Sequence, residues 1–418
     1  MSTLVPVLIV GGGASGMAAA ITAASHLPQG SVTVLERGAR VGRKLLATGN
    51  GRCNLTNRLA AEDRYHGKDP AFVRSAFRRF PVKSNLDFFY KMGLMTVEEE
   101  DGKMYPRSLQ AAAVLDILRL EMERLGVQVQ TDVEVRGIKK TGNGFLLDGT
   151  DLKTGEAKRW NARKVILACG GEASGGLGGS DLGYRLLKSL GHPVTARLPG
   201  IVQLKTDVTA TKGLSGSKFD AALTLTEGRR IIRQEQGELL FTDYGVSGPP
   251  VMQLSASAAR LLDSGRKAQL FIDFAPDLAQ ERIAGMLTGR RKARPDKRLE
   301  DFMTGFVPKR LGQCLLKTAG VQPLSRPASS LSDAECGEVA RLMKAFPLAV
   351  TGTNGMKNAQ VTIGGAETAF FDPETMESRL VPGLFVTGEL YDIDGDCGGF
   401  NLQWAWSSGR LAAEAAAR

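Results

Sequence analysis

The chain has 418 residues, 43% of them hydrophobic and 23% charged, with 54 basic against 44 acidic side chains and a net charge of +10. At about 150 residues per domain this predicts two or three domains with a sizeable core, which excludes a disordered or fibrous protein. Glycine is the outlier: 50 of 418 residues, roughly 12%, against about 7% in ordinary proteins.

The positive balance permits anionic partners, from phosphorylated cofactors to nucleic acid, without choosing among them. Cys53, Cys169, Cys314, Cys336 and Cys397 are odd in number, widely spaced and free of any C-x-x-C pair. That pattern argues against a disulfide framework or a zinc site and predicts a cytoplasmic location. With only His26, His66 and His192 present, no metal is expected.

Residues 4–24 are largely apolar, yet no basic residue precedes them and Gly11, Gly12, Gly13, Ser15 and Gly16 interrupt them. They read as strand, turn and helix rather than as a signal peptide or a membrane span, so no membrane partner is expected. LVPVLIV at 4–10 suits a buried parallel strand, with Pro6 tolerable near its start. GGGASG at 11–16 fits G-x-G-x-x-G and leads into the alanine-rich run MAAAITAAS. Gly11 allows the tight turn, Gly13 lets backbone approach a pyrophosphate, and Gly16 lets helix pack on strand. The helix N-terminus, with Ala14 and Ser15 in its first turn, offers free N–H groups to an anion. A second apolar run, SVTVLER, carries Glu36 twenty residues past Gly16, where an acid accepts hydrogen bonds from an adenosine ribose.

Arg37, Arg40, Arg43 and Lys44 then cluster before the loop ATGNGRCN, which holds Asn50, Gly51 and Arg52. Such a cluster can neutralise a pyrophosphate, and the loop's N–H groups can reach a flavin. A helix is expected at about 109–125, short strands near 127–135 and 144–149, and a strand at 164–171 that runs into Gly170 and Gly171. Residues 198–275 carry short β-rich runs separated by Gly, Asp and Ser, which predict a small antiparallel sheet or barrel. From 277 to 345 the period becomes helical. The stretch GRRKARPDKR at 289–298 is expected to be a solvated linker between two helices. A last strand at 384–387 ends at Gly388 and Glu389, and Gly398-Gly399-Phe400-Asn401 opens an amphipathic helix. A helix N-terminus there would aim its dipole at the N1/C2-carbonyl end of an isoalloxazine, with Glu389 placed for a ribityl hydroxyl.

These motifs together resemble the BaiN-like (YhiN-type) flavoproteins of the two-dinucleotide-binding-domain superfamily. The resemblance rests on GGGASG at 11–16, GRKLLATGNGRCNLTN at 42–57, CGG at 169–171, YGVSGP at 244–249, TMESRLVPGLF at 375–385 and DGDCGGFNLQWAWSSG at 394–409. It implies an α/β fold: a discontinuous Rossmann-like FAD-binding domain with an inserted β-barrel-like subdomain and a helical subdomain. The matching division is 1–195 with 346–418 for FAD, 196–276 for the β-rich insert and 277–345 for the helical one. It also implies cofactor contacts at Val133, Ala168, Gly170, Gly388, Glu389, Gly398, Gly399, Asn401 and Leu402, beside those named above. One branch of the family is linked to reduction of carbon–carbon double bonds in steroid-like enones. This chain departs from the family pattern at 171–184, where GEASGGLGGSDLGY replaces a tyrosine-proline segment.

No side chain stands out as a catalytic acid or base. Arg52, Cys53, Tyr391 and Cys397 are the candidates near the flavin, with Asn401 as a further polar contact. Cys169 reads as a buried thiol, His192 as part of a helix C-terminal cap, and at least one of Trp404 and Trp406 as core. Only one dinucleotide fingerprint is present, so NAD(P)H is expected as a transient donor over the flavin. The expected activity is that of a cytoplasmic FAD-dependent oxidoreductase. It would pass hydride through flavin N5 between NAD(P)H and a small organic substrate, with a conjugated alkene among the options. The rival is an RNA-associated flavoprotein related to the tRNA-modifying flavoenzymes, for which the net charge of +10 argues.

Overall fold

A computed structural model describes residues 4–418. The chain forms two compact units, one running to Pro199 and resuming over Ala359–Arg418, the other Gly200–Asn358.

The first unit is built on a seven-stranded mixed sheet. Strand Leu4–Val10 pairs in parallel with Val32–Leu35 on one side and with Ala157–Leu167 on the other. Its Leu8 and Ile9 are wholly buried, each contributing roughly 1.5–3 kcal/mol of transfer free energy. Pro6 falls in a gap of the register, where its missing N–H costs no ladder bond. Strand Ala157–Leu167 divides its other edge: residues 157–162 pair antiparallel with Gly144–Asp151, and 165–167 pair in parallel with Leu384–Val386. The chain segment 359–418 thereby returns a strand to the sheet of the N-terminal segment. The single strand expected at 127–135 is two strands, Gln128–Gln130 and Val133–Thr141, broken at Asp132, whose φ is +57°. The first extends the parallel edge beside Val32–Leu35, and the second joins the antiparallel arm.

Helix Phe400–Ala416 lies against helix Ala14–Ala24. At Gly409 the approach is so close that a Cβ would stand 2.4 Å from the Ser15 carbonyl oxygen. Trp404 and Trp406 are both fully buried, one donating to the Gly388 carbonyl at 3.0 Å and the other to the Leu55 carbonyl at 2.8 Å. Two residues apart, they face different sides, and this helix is enclosed on both.

The second unit is a closed, antiparallel six-stranded barrel, with Lys218–Glu227 and Arg230–Thr242 as its long hairpin. Strand Ala268–Asp273 alternates buried and half-buried residues, as one face on a core requires. Helices Gln280–Ala293, Lys309–Thr318 and Asp333–Lys344 are spliced in before the closing strand, Phe346–Thr353. That strand pairs with both Ala268–Asp273 and Leu204–Thr206. Residues 346–358 therefore belong to the barrel and not to the flavin unit, because without them two barrel edges would stand open.

Within the 289–298 stretch, residues 294–298 form a largely exposed connection between helices Gln280–Ala293 and Leu299–Phe302, as expected, while its first residues are helical. Arg290 donates to the Phe302 and Thr304 carbonyls, and Arg291 donates to the Leu331 carbonyl and Asp333. Those cations tie the helices together.

Candidate functional site

Parallel strands place their C-terminal ends on one sheet edge, and the connections leaving that edge form the site. Gly11 has a φ of +108°, and a Cβ there would stand 2.4 Å from the Ala168 carbonyl oxygen. A Cβ at Gly16 would stand 2.0 Å from the Gly11 carbonyl oxygen. Both glycines let chain pack on chain. Gly13 differs, since a Cβ there would meet nothing, and the same is true of Gly51 and Gly170. These positions line open space. No side chain caps helix Ala14–Ala24, whose first internal bond runs from Met17 N–H to the Gly13 carbonyl. Its leading N–H groups face that space with their dipole unspent.

Glu36 accepts from the N–H of Gly12 at 2.8 Å and of Gly38 at 2.6 Å, so this acid shapes the glycine turn. Val133 is buried and donates its N–H to the Glu36 carbonyl. Arg37 lies 3.6 Å from Glu134, and Arg43 donates to the Gly176 carbonyl at 3.0 Å. Lys44 is bound to Glu389 at 2.7 Å, while the other Glu389 oxygen accepts the Thr362 N–H at 2.8 Å. Glu389 is thus a strut between the basic loop and the 361–363 strand.

The 48–57 loop meets the start of helix Phe400–Ala416. Gly399, with φ +98°, packs so closely that a Cβ would stand 2.6 Å from the Thr56 carbonyl oxygen. Asn54 is 8% exposed, and its side-chain oxygen has no partner. Asn401 spends its amide on both backbone polar groups of Gly395, at 2.9 and 2.8 Å, and so staples the turn that presents the helix. Leu402 is half-buried on the same first turn. That helix also lacks a side-chain cap.

A uniform sheet edge, glycines opening on space and two uncapped helix starts are what a dinucleotide needs. The profile of the HI0933-like protein Rossmann domain matches residues 5–415. The chain belongs to this HI0933-like family. The family is one of flavin-dependent oxidoreductases. The HI0933-like chain is 40% identical over 409 residues to a 3-dehydro-bile acid delta(4,6)-reductase of Clostridium scindens, covering 98% of both proteins. It is also 30% identical over 410 residues to a ribosomal RNA dihydrouridine synthase of Escherichia coli, covering 97% of this chain and 96% of the other. Among solved structures it is similar to a 3-ketosteroid-delta4-(5alpha)-dehydrogenase from Rhodococcus jostii RHA1, with 17% identity and a TM-score of 0.50. That alignment covers 99% of this chain and 96% of the other, and it bears on the fold alone.

Within the HI0933-like chain, the residues singled out for chemistry fall into two groups. Tyr391 is wholly buried against Phe72, Phe371 and Trp404, and its hydroxyl donates to the Met376 carbonyl, so it is core rather than a substrate contact. Cys53 is also wholly buried, and burial pushes its thiol up to about 12, while Cys169 is pushed to the same value. Neither forms a thiolate near neutrality. His192 is buried, bonded to the Ser378 hydroxyl at 2.7 Å and stacked on Phe371, and its N–H closes the preceding helix on the Leu187 carbonyl.

Arg52 and Cys397 belong instead to a polar cluster with Tyr105 and Lys103, two residues the sequence reading missed. The Arg52 guanidinium lies 4.2 Å from the Tyr105 ring centroid and pairs with Glu99. A Cβ at Gly49 would stand 3.3 Å from the Tyr105 ring, and one at Gly398 3.9 Å from the Lys103 Cε. The cluster thereby borders both glycine turns. The Tyr105 hydroxyl bonds to no described residue, and partial burial raises its pKa above the usual phenol value. Burial likewise raises the Cys397 thiol, against the opposing pull of Lys103. The cue available in sequence was the segment KMYP at 103–106, a short strand facing the TGNGRCN loop.

Among the described residues no group of acidic, histidine or cysteine side chains could hold a metal ion, and no helix is long and apolar enough to cross a membrane.

Proposed function

We propose that this chain is a cytoplasmic FAD-dependent reductase that saturates a carbon–carbon double bond conjugated to a carbonyl, with NAD(P)H as electron source. The observation that carries the reading is the cradle itself. Gly13, Gly51 and Gly170 open on space, two helix starts are uncapped, and the buried Asn54 oxygen lacks a donor. These residues fit FAD: Gly13 to Gly16 for the pyrophosphate, Glu36 for the ribose, and Asn54 with the 399–401 turn for the flavin's pyrimidine edge. Bound there, FAD supplies the hydride.

The chain's own groups supply the rest. Tyr105 can donate a proton from its hydroxyl to the substrate carbon that does not take the hydride, and its raised pKa keeps that proton in place near neutrality. Arg52, fixed by Glu99 over the Tyr105 ring, can bind the substrate carbonyl. The names of the two relatives support this chemistry. A 3-dehydro-delta(4,6) bile acid and uridine both carry an alkene conjugated with a carbonyl; one relative is named a reductase, and dihydrouridine, which names the other, is uridine with two hydrogens added.

The charge distribution favours RNA as a second substrate reading. Residues 200–358 hold 23 basic and 16 acidic side chains, net +7, against 31 and 28, net +3, for the rest. The test is a visible spectrum of purified protein followed by anaerobic addition of NADH or NADPH, then of a steroid dienone or a uridine-containing RNA. Bleaching by one donor and re-oxidation by one acceptor is the expected outcome. A colourless protein that takes up no FAD, or a flavin that neither donor bleaches, sinks the proposal.

A further inference from the structure

The barrel unit holds a cleft of about 1120 Å³ that the flavin reading does not use. This exceeds the roughly 300–1,000 Å³ of most small-ligand pockets. One wall is a single face of helix Lys309–Thr318, with Arg310, Gln313 and Lys317 recurring at helical spacing. The opposite wall is the loop after strand Leu204–Thr206, which brings Asp207 and Lys212, and Asp243 joins from the turn after strand Arg230–Thr242. The Cys314 thiol donates to the Ala210 carbonyl at 3.0 Å and ties the two walls together.

What marks the cations of this cleft is that three of them share it. Elsewhere in the unit Lys218, Arg266, Arg291, Arg326, Arg341 and Lys344 each pair with a carboxylate, while Lys205, Arg229, Arg230, Lys267, Arg282 and Lys292 carry no ion pair with any described residue but lie outside the cleft. Lys309, the immediate neighbour of Arg310, is held by Asp301 at 2.7 Å. Lys212, Arg310 and Lys317 form no ion pair with any described residue. Three cations against the carboxylates of Asp207 and Asp243 leave the cleft with an excess of positive charge that an anionic ligand would offset. The two carboxylates bear on the kind of anion. The Thr209 hydroxyl, together with its N–H at 2.9 Å, holds the Asp207 carboxyl below the usual range, so it stays ionised beside the cations. A site with both signs fits a ligand bearing phosphates together with hydroxyl or amino donors, and it disfavours a bare polyanion.

We infer that this cleft binds a single-stranded RNA segment, with Lys212, Arg310 and Lys317 on its phosphates and Asp243 on a 2′-hydroxyl or base amino group. The inference deepens the RNA reading of the substrate and is independent of whether the flavin reduces an alkene. Its test is therefore binding. A fluorescein-labelled single-stranded RNA of mixed sequence is titrated with the full-length holoprotein by anisotropy, between 50 and 200 mM KCl. The variants are Lys212→Gln, Arg310→Gln and Lys317→Gln, singly and together, with Lys309→Gln as a charge-matched control on the same helix. Each lining variant should lower the salt slope by about 0.7, and the triple variant by about 2. Lys309→Gln should leave the slope in place. Unchanged flavin absorbance and melting temperature establish that each variant is folded. A triple variant that binds with the parent's slope overturns the inference, as does a parent that binds no RNA at 50 mM. Equal binding of DNA of the same sequence, or displacement of RNA by ATP at matched phosphate concentration, overturns the assignment to an RNA strand. If RNA binds as expected while no alkene is reduced, the cleft stands and the catalytic reading falls.

Discussion

The three glycines of the first turn are predicted to fail in opposite ways when each gains a methyl group. At Gly16 a Cβ would stand 2.0 Å from the Gly11 carbonyl oxygen and 3.3 Å from the Ala168 Cβ. Both are parts of the sheet-to-helix packing and cannot yield, so Gly16→Ala overpacks the core at a cost of about 3 kcal/mol. For a unit of this size, at about 2–4 °C per kcal/mol, the melting temperature of the apoprotein should fall by roughly 6–12 °C. Gly11→Ala adds a left-handed φ of +108° to a 2.4 Å clash and should fall at least as far. Gly13 has φ −81° and ψ −168°, which alanine adopts freely, and its Cβ would meet no atom within 4 Å. Gly13→Ala should therefore raise apoprotein stability by about 0.4–1 kcal/mol through the unfolded chain. Its methyl instead fills the space a pyrophosphate needs. Loss of one charge-assisted amide bond, about 1.5–3 kcal/mol, weakens FAD binding by roughly 10- to 150-fold. Calorimetry of the apoproteins and flavin-fluorescence titration read the two effects separately. If Gly13→Ala melts as low as Gly16→Ala and still binds FAD like the parent, the division of roles between these glycines is wrong.

Tyr105→Phe should lower the rate of substrate reduction about 100-fold or more while leaving flavin reduction by NAD(P)H unchanged, as stopped-flow absorbance at the flavin band would register. With a phenol raised above its usual value, the parent's rate should show no fall from loss of this proton until the pH passes the ordinary phenol value of 10. Cys53 and Cys169, each pushed up to about 12 by burial, should resist a thiol-disulfide reagent at pH 8 in the native state and react fully in denaturant. Because unfolded thiols ionise near 9 and these do not, folding stability should fall as pH rises from about 9 to 12, which denaturant titrations along that range would record. His192 has its pKa lowered by burial, so the unfolded chain takes up the proton first. Stability should drop as pH falls below the ordinary histidine value, and His192→Asn should flatten that part of the profile.

What was legible in the sequence was local. The fingerprint at 11–16, the acid at 36 and the glycines before helix Phe400–Ala416 depend on residues close in the chain, and each appears at its expected sheet edge or helix start. Strand pairings between distant segments were not legible. The sequence reading assigns residues 346–353 to the flavin domain, and only their register with 268–273 and 204–206 puts them in the barrel. Burial was the other blind spot. Tyr391 sits two residues past Glu389 in a glycine-rich, polar segment that looks like a site, yet the rings of Phe72, Phe371 and Trp404 close around it. Tyr105 was missed for the converse reason, since the four-residue strand Lys103–Pro106 is the one local cue and says nothing of the arginine stacked on the ring.

The basic charge illustrates how little a total says about function. Near the cradle, Arg37, Arg43, Lys44 and Arg52 all have partners inside the chain: Glu134, the Gly176 carbonyl, Glu389 and Glu99. In the run at 289–298, Arg290 and Arg291 are likewise spent on helix packing, and Arg294 and Arg298 on the nearby Asp296 and Glu300. The cations left without partners in the cleft are single residues scattered over 212–317, invisible as a patch until the helix and the loop are brought face to face. On the proposed reading the same flavin would serve either conjugated alkene, so the cradle alone would discriminate weakly between a steroid and a uracil ring. Discrimination has to come from groups that hold the remainder of the substrate. A bile acid has a rigid apolar skeleton, whereas an RNA strand brings a row of phosphates, and unpaired lysine and arginine side chains are useful only to the second. Removing Lys212, Arg310 and Lys317 should therefore leave steroid turnover untouched while it abolishes RNA turnover. Equal losses on both substrates would show that the cleft serves the fold and not the choice of substrate.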